Sequence, residues 1–156
     1  EITTRLVGSE MCIRDRGMTL WDAMVAMYEK YGYYKDDVKA ITLKGIEGLE
    51  KIQTILETLR ADAPKEIGGY KVLKVRDYKK DTITDLADGK VTPTGLPVSN
   101  VLYYELEDDA WVCVRPSGTE PKVKFYYGIK GTSLEEADAK SESLGKEVLA
   151  MIEKML

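Results

Sequence analysis

Residues 111–127 read WVCVRPSGTEPKVKFYY. Two β-prone apolar runs, Trp111–Val114 and Val123–Tyr127, flank a polar loop punctuated by Pro116, Gly118 and Pro121. The pattern predicts a strand, a loop and a second strand. Within five residues the loop brings together the Arg115 guanidinium, the Ser117 and Thr119 hydroxyls and a backbone loosened at Gly118, and the Lys122 ammonium follows. Apart from Glu120, every polar group here can donate a hydrogen bond to an oxyanion. A planar fork of donors suits two oxygens of one anion, and a concave backbone turns its amides inward toward a third. Arg115, Lys122 and Lys124 against Glu120 leave the loop region with a local excess of two positive charges.

That local excess contrasts with the whole chain, which carries a net charge of -4 over 156 residues and has a pI of about 5.1. No basic stripe is available to neutralise a row of phosphates, which argues against nucleic acid as a partner. A hydrophobic fraction of 44% suffices for one folded core. No apolar run is long enough to span a bilayer, so no membrane partner is expected. Histidine is absent, which removes His-based triads and His-ligated metals. Cys12 and Cys113 are too few for a disulfide framework and suit a reducing, cytoplasmic setting. Cys113, in an apolar strand, reads as an inert core thiol.

Working outward from the loop, Asn100–Leu106 and Ala110–Arg115 predict a hairpin around Glu107, Asp108 and Asp109. Residues 79–99, with Gly89, Pro93, Gly95 and Pro97, read as a long surface loop. Tyr70–Val75 follows Gly68-Gly69 as a strand. Leu49, Ile52, Ile55, Leu56 and Leu59 give a helix that Pro64 ends, preceded by a strand over Val38–Leu43. Gly45 and Gly48 read as a helix entry; they lack a full phosphate-loop pattern. Thr19 and Asp22 form a capping box for a helix over Leu20–Tyr31, stopped by Gly32. At the other end Ser133 and Glu136 form a second box, with Leu134, Ala137, Leu144, Val148, Ile152 and Met155 as the buried stripe. The order from Val38 is β-α-β, further strands, then α. It predicts an α+β domain, two helices on one face of a mostly antiparallel sheet. Residues 1–16 show no clear period, and LVGSEMCIRDR looks like a translated sequencing-adapter scar, so they are set aside.

The stretch RPSGTEPKVKFYYG, residues 115–128, resembles the C-terminal phosphate-binding loop of the α-D-phosphohexomutases. Within them it looks most like the bacterial α-phosphoglucomutases. GMTLWDAMVAMYEKYGYYKDD looks like the last helix of that family's third domain, and ITLKGIEGLEKIQTILETLR like the first strand and helix of its fourth. The resemblance covers residues 17–156. It implies a division into residues 1–16 as scar, 17–37 as the end of a third domain, and 38–156 as a C-terminal domain similar in fold to the TATA-box-binding protein.

The resemblance further implies an enzyme of four domains, in which a phosphoserine exchanges phosphoryl groups with a sugar phosphate through glucose 1,6-bisphosphate. Mg²⁺, held in another domain, assists. On this chain Arg115, Ser117, Gly118 and Thr119, with Lys122 as a weaker contributor, would clamp the phosphate that is not being transferred. No TASHNP-type serine loop, DGDGDR-like metal loop or GEESxG sugar loop is present. The chain is therefore expected to hold neither catalytic nor metal-binding residues, to lack N-terminal domains and to be inactive alone. Ser117 has no neighbouring base and is expected to bind, not to attack. The alternative is a stand-alone phosphosugar-binding module. Mannose or pentose phosphates remain open beside glucose phosphates. Nucleic-acid binding has only fold analogy behind it.

Overall fold

In a computed structural model, which describes residues 17–156, the Thr19 hydroxyl accepts the Asp22 amide at 3.1 Å, and the Asp22 carboxylate accepts the Thr19 amide at 2.9 Å. This closed capping box starts helix α1, Leu20–Tyr31, at the predicted residue. Residues 1–16, including the proposed scar and Cys12, lie outside the described residues. None of the residues of α1 is buried, and Leu20, Trp21, Met27 and Tyr31 are exposed. Strand β1 follows as Tyr33–Thr42, five residues earlier than the apolar run predicts. The reason is its pairing: Tyr33 faces Gly131 and Thr42 faces Lys122, so one ladder holds its charged first half as well.

Helix α2, Gly45–Ala61, buries Ile52, Ile55, Leu56 and Leu59 as its spacing requires, while Leu49, placed on the same face by the sequence reading, is exposed. Strand β2, Glu66–Ile67, turns through Gly68 and Gly69 into β3, Tyr70–Asp77. Both glycines have positive φ, +59° and +84°, the backbone of a two-residue hairpin turn. Residues 79–99 are not one loop: they contain β4, Thr82–Asp85, and β5, Val91–Thr92. The β-branched Thr82, Ile83 and Thr84 pair along the end of β3, and this overrides the polar composition. Strands β6, Leu102–Leu106, and β7, Trp111–Pro116, form the expected hairpin, with Asp108 and Asp109 at φ near +58° and +59°. Strand β8, Lys122–Gly131, leads to helix α3, Leu134–Glu153.

The sheet is antiparallel throughout, in the order β1-β8-β7-β6-β3-β4-β5, with β2 on β3. Its inward face carries Leu102, Tyr104, Val112, Val114, Phe125 and Tyr127, which join the buried residues of α2 and α3 in one cluster. This is the α+β layer expected from the sequence. Gly145 lets α3 lie close to β8, since a Cβ there would overlap the Tyr127 hydroxyl. Of the predicted stripe, Ala137, Leu144, Val148 and Ile152 are buried, Leu134 is half-buried, and Met155 lies beyond the helix end, 37% exposed.

The α3 cap differs in one partner from a simple box. Ser133 Oγ accepts the Glu136 amide at 3.1 Å, but the Glu136 carboxylate accepts from the Thr132 amide at 2.6 Å and from the Thr132 hydroxyl. Thr132 holds that carboxyl down to about 2, against 4.5 ordinarily. A depressed folded-state pKa means the contribution is present above about 4.5 and fades as pH falls toward 2. Urea midpoints of the parent should therefore exceed those of Glu136→Gln at pH 6 and converge with them at pH 2.5. A gap unchanged between the two pH values would show that the carboxylate does not cap the helix.

Candidate functional site

The loop between β7 and β8 is built by its own backbone. The Ser117 amide donates to the Lys122 carbonyl at 2.7 Å, and the Lys122 amide donates to the Glu120 carbonyl at 2.7 Å. The Leu43 amide donates to the Pro121 carbonyl at 2.8 Å, which ties the loop to the end of β1. Ser117 Oγ accepts the amides of Thr119 and Glu120 at 3.4 and 3.3 Å. The Thr119 amide, expected to face an anion, is thus engaged locally by a long bond. The Ser117 hydroxyl keeps its own proton to donate outward. Gly118 does not take a left-handed φ, so the turn does not demand glycine for its conformation. Instead, a Cβ at Gly118 would meet nothing within 4 Å. Its amide has no partner among the described residues, and a ligand can approach this backbone closely.

The side chains follow from strand alternation. Arg115 is exposed on the outward face of β7 and pairs directly with Lys124 of β8, also exposed. Two cations placed opposite each other repel. Among the described residues neither takes part in an ion pair. Lys122 stands two residues nearer the loop on the same face of β8, half-buried. Arg115, Ser117, Gly118, Thr119 and Lys122 therefore gather at one hairpin tip, and Lys124 joins them. The signal for Lys124 was the period of two in Lys122-Val123-Lys124, which puts both lysines on one face.

Cys113 is a correction to the sequence reading. It is half-buried on the outward face, paired with Tyr126, and not in the core. Burial pushes its thiol up, and the nearby Arg115 offsets this in part. The aromatics divide the same way: Phe125 and Tyr127 are core, while Trp111 and Tyr126 face outward. Asp37 meets Tyr127 across the β1–β8 ladder, where the buried phenol donates to its carboxylate at 3.2 Å. Burial pushes that phenol up to about 12, and it serves packing, away from the loop.

Among the described residues no three Asp, Glu or Cys side chains converge as a metal site, and no helix is long and apolar enough to cross a membrane. What the loop gathers, on a hairpin of an α+β sheet, is a set of hydrogen-bond donors beside two opposed cations. Residues 60–143 match the family phosphoglucomutase/phosphomannomutase, C-terminal domain, and the chain belongs to that family. It is 34% identical over 128 residues to a phosphoglucomutase of Staphylococcus aureus (strain bovine RF122 / ET3-1), covering 82% of this chain and 23% of that one. It is 31% identical over 138 residues to a phosphoglucomutase of Staphylococcus saprophyticus, covering 88% and 25%. The chain thus spans about a quarter of the length of these relatives. A solved structure of pp63/parafusin from Paramecium, a phosphoglucomutase in its open form, aligns with a TM-score of 0.44 and 12% identity over 88% of this chain and 22% of that one.

Proposed function

We propose that this chain is the phosphate-holding end of a phosphohexomutase of the phosphoglucomutase type, which interconverts glucose 1-phosphate and glucose 6-phosphate. The observation that carries the reading is Arg115, which has no ion-pair partner among the described residues and is set beside Lys124 at the foot of a loop whose Gly118 opens onto free space. The phosphate that is not being transferred would sit there. Arg115 offers two parallel N–H donors. Ser117 and Thr119 offer hydroxyls, Gly118 an amide, and Lys122 a point charge. The role is positioning: a phosphate fixed at the loop aims the other end of the sugar at the reacting group. No bond to phosphorus forms or breaks on these residues.

A phosphoryl-carrying serine and Mg²⁺, which would supply charge neutralisation at the transferred group, would belong to a longer chain. The described residues offer no donor set for that ion. Glucose 1,6-bisphosphate would be the intermediate. The test is direct. Calorimetry on this 156-residue chain should detect glucose 1-phosphate binding, weakened by added salt. A coupled assay for glucose 6-phosphate should show no turnover. Turnover at catalytic concentration, or no phosphate binding at all, would overturn the reading.

A further inference from the structure

Beyond the loop, the outward face of the sheet carries a groove of about 690 Å³. Tyr103, Cys113 and Tyr126 form one row of its floor across β6, β7 and β8. Trp111 lines one end and Arg115 the other, while Leu96 and Pro97 supply a wall. Trp111 and Arg115 are four residues apart on β7, about 13 Å at about 3.3 Å per residue.

The groove is polarised. At its far end Tyr103 stacks on Trp111 with centroids 5.5 Å apart and planes 13° from parallel. The Arg76 guanidinium lies 5.6 Å from the Tyr103 ring centroid, and Glu105 accepts from Arg76 Nε at 2.7 Å. That ion pair neutralises Arg76 and stiffens the aromatic wall. At the loop end Arg115 and Lys124 have no such compensation among the described residues. Between the two ends the lining carries the Ser99 hydroxyl and the side chains of Tyr78, Val101 and Tyr126. A flat ring fits aromatic walls by stacked or edge-on contact, and an anionic group on the same molecule fits the cationic end.

We propose that this groove binds a nucleoside monophosphate, with its phosphate at Arg115 and Lys124 and its base against Trp111 and Tyr103. The proposal rests on the reading of Arg115 as a phosphate-holding residue. It adds a consequence: the nucleotide and a sugar phosphate compete for the same guanidinium, so occupancy of the groove lowers the availability of the loop.

The experiment is calorimetric titration of the full chain with adenosine 5′-monophosphate, ribose 5-phosphate and inorganic phosphate. Adenosine 5′-monophosphate should bind at least ten times more tightly than ribose 5-phosphate. That preference should fall below twofold in the Tyr103→Leu/Trp111→Leu variant, with inorganic phosphate unaffected. Ser99→Leu, which narrows the groove from an exposed wall position without adding an aromatic ring, should lower the preference too. Equal affinity for the two organic phosphates overturns the groove and leaves the loop reading standing. A preference that survives both variants also overturns it. Failure of inorganic phosphate and ribose 5-phosphate to bind overturns the loop reading and the placement of the nucleotide phosphate with it.

Discussion

Replacing Arg115 by alanine is expected to lower the affinity for glucose 1-phosphate by about 10- to 100-fold. A hydrogen bond to a charged group contributes about 1.5–3 kcal/mol, and each 1.4 kcal/mol corresponds to about a factor of ten. Arg115→Lys should fall between the two. It keeps the charge but loses the planar fork that engages two oxygens at once. Calorimetry on all three proteins measures the series. An alanine variant within twofold of the parent would remove Arg115 from the site.

The same substitution should leave the fold intact, and this separates a binding role from a structural one. Arg115 is exposed and stands directly across from Lys124 with no acidic partner among the described residues. Removing one of two opposed cations relieves repulsion. The urea midpoint of Arg115→Ala should therefore equal or slightly exceed that of the parent, even as affinity collapses. A cation at a like-charge contact, with no acidic partner among the described residues, points to an anion from outside.

How much of this was readable beforehand depends on what each element rests on. Helix α1 follows from Thr19 and Asp22 because a capping box is local, and the four residues from Thr19 to Asp22 contain the whole instruction. The hairpin of β6 and β7 is local in the same sense. β4 and β5 were not legible, because Thr82–Asp85 becomes a strand only by pairing with β3 and Val91–Thr92 only by pairing with β4. The first half of β1 was hidden for the same reason: Lys35, Asp36 and Asp37 have poor strand propensity, and the ladder with β8 overrides it. At the loop, the residue types were plain from the sequence, since RPSGTEPK holds almost only donors. Its backbone was not. That Ser117 Oγ engages the Thr119 amide, and that Gly118 serves access and not a left-handed turn, requires coordinates. Cys113 shows the cost of reading an apolar run without its period: the neighbours Val112 and Val114 point inward, so Cys113 must point out.

Arg60→Met is expected to lower stability by about 3 kcal/mol or more. The Arg60 side chain is 1% exposed and lies at the end of α2. Its Nε donates to Asp77 at 3.3 Å, Nη1 to Glu57 at 3.1 Å, and Nη2 to Asn100. Asp77, 8% exposed at the side chain, closes the end of β3 and also accepts the Lys79 amide at 3.0 Å. One guanidinium therefore joins α2, β3, the turn after it and the segment entering β6. Methionine would fill much of the volume but leave the Asp77 carboxylate buried without its cation. Two backbone amides remain to Asp77, which favours the lower end of the range. Urea unfolding should show a lowered midpoint with an unchanged slope. A second substitution, Asp77→Asn, isolates the mechanism. In the Arg60→Met background it removes the stranded charge, so the double variant should be more stable than Arg60→Met alone. If the double variant loses the sum of the two single losses, Arg60 acts through packing and not through the buried pair.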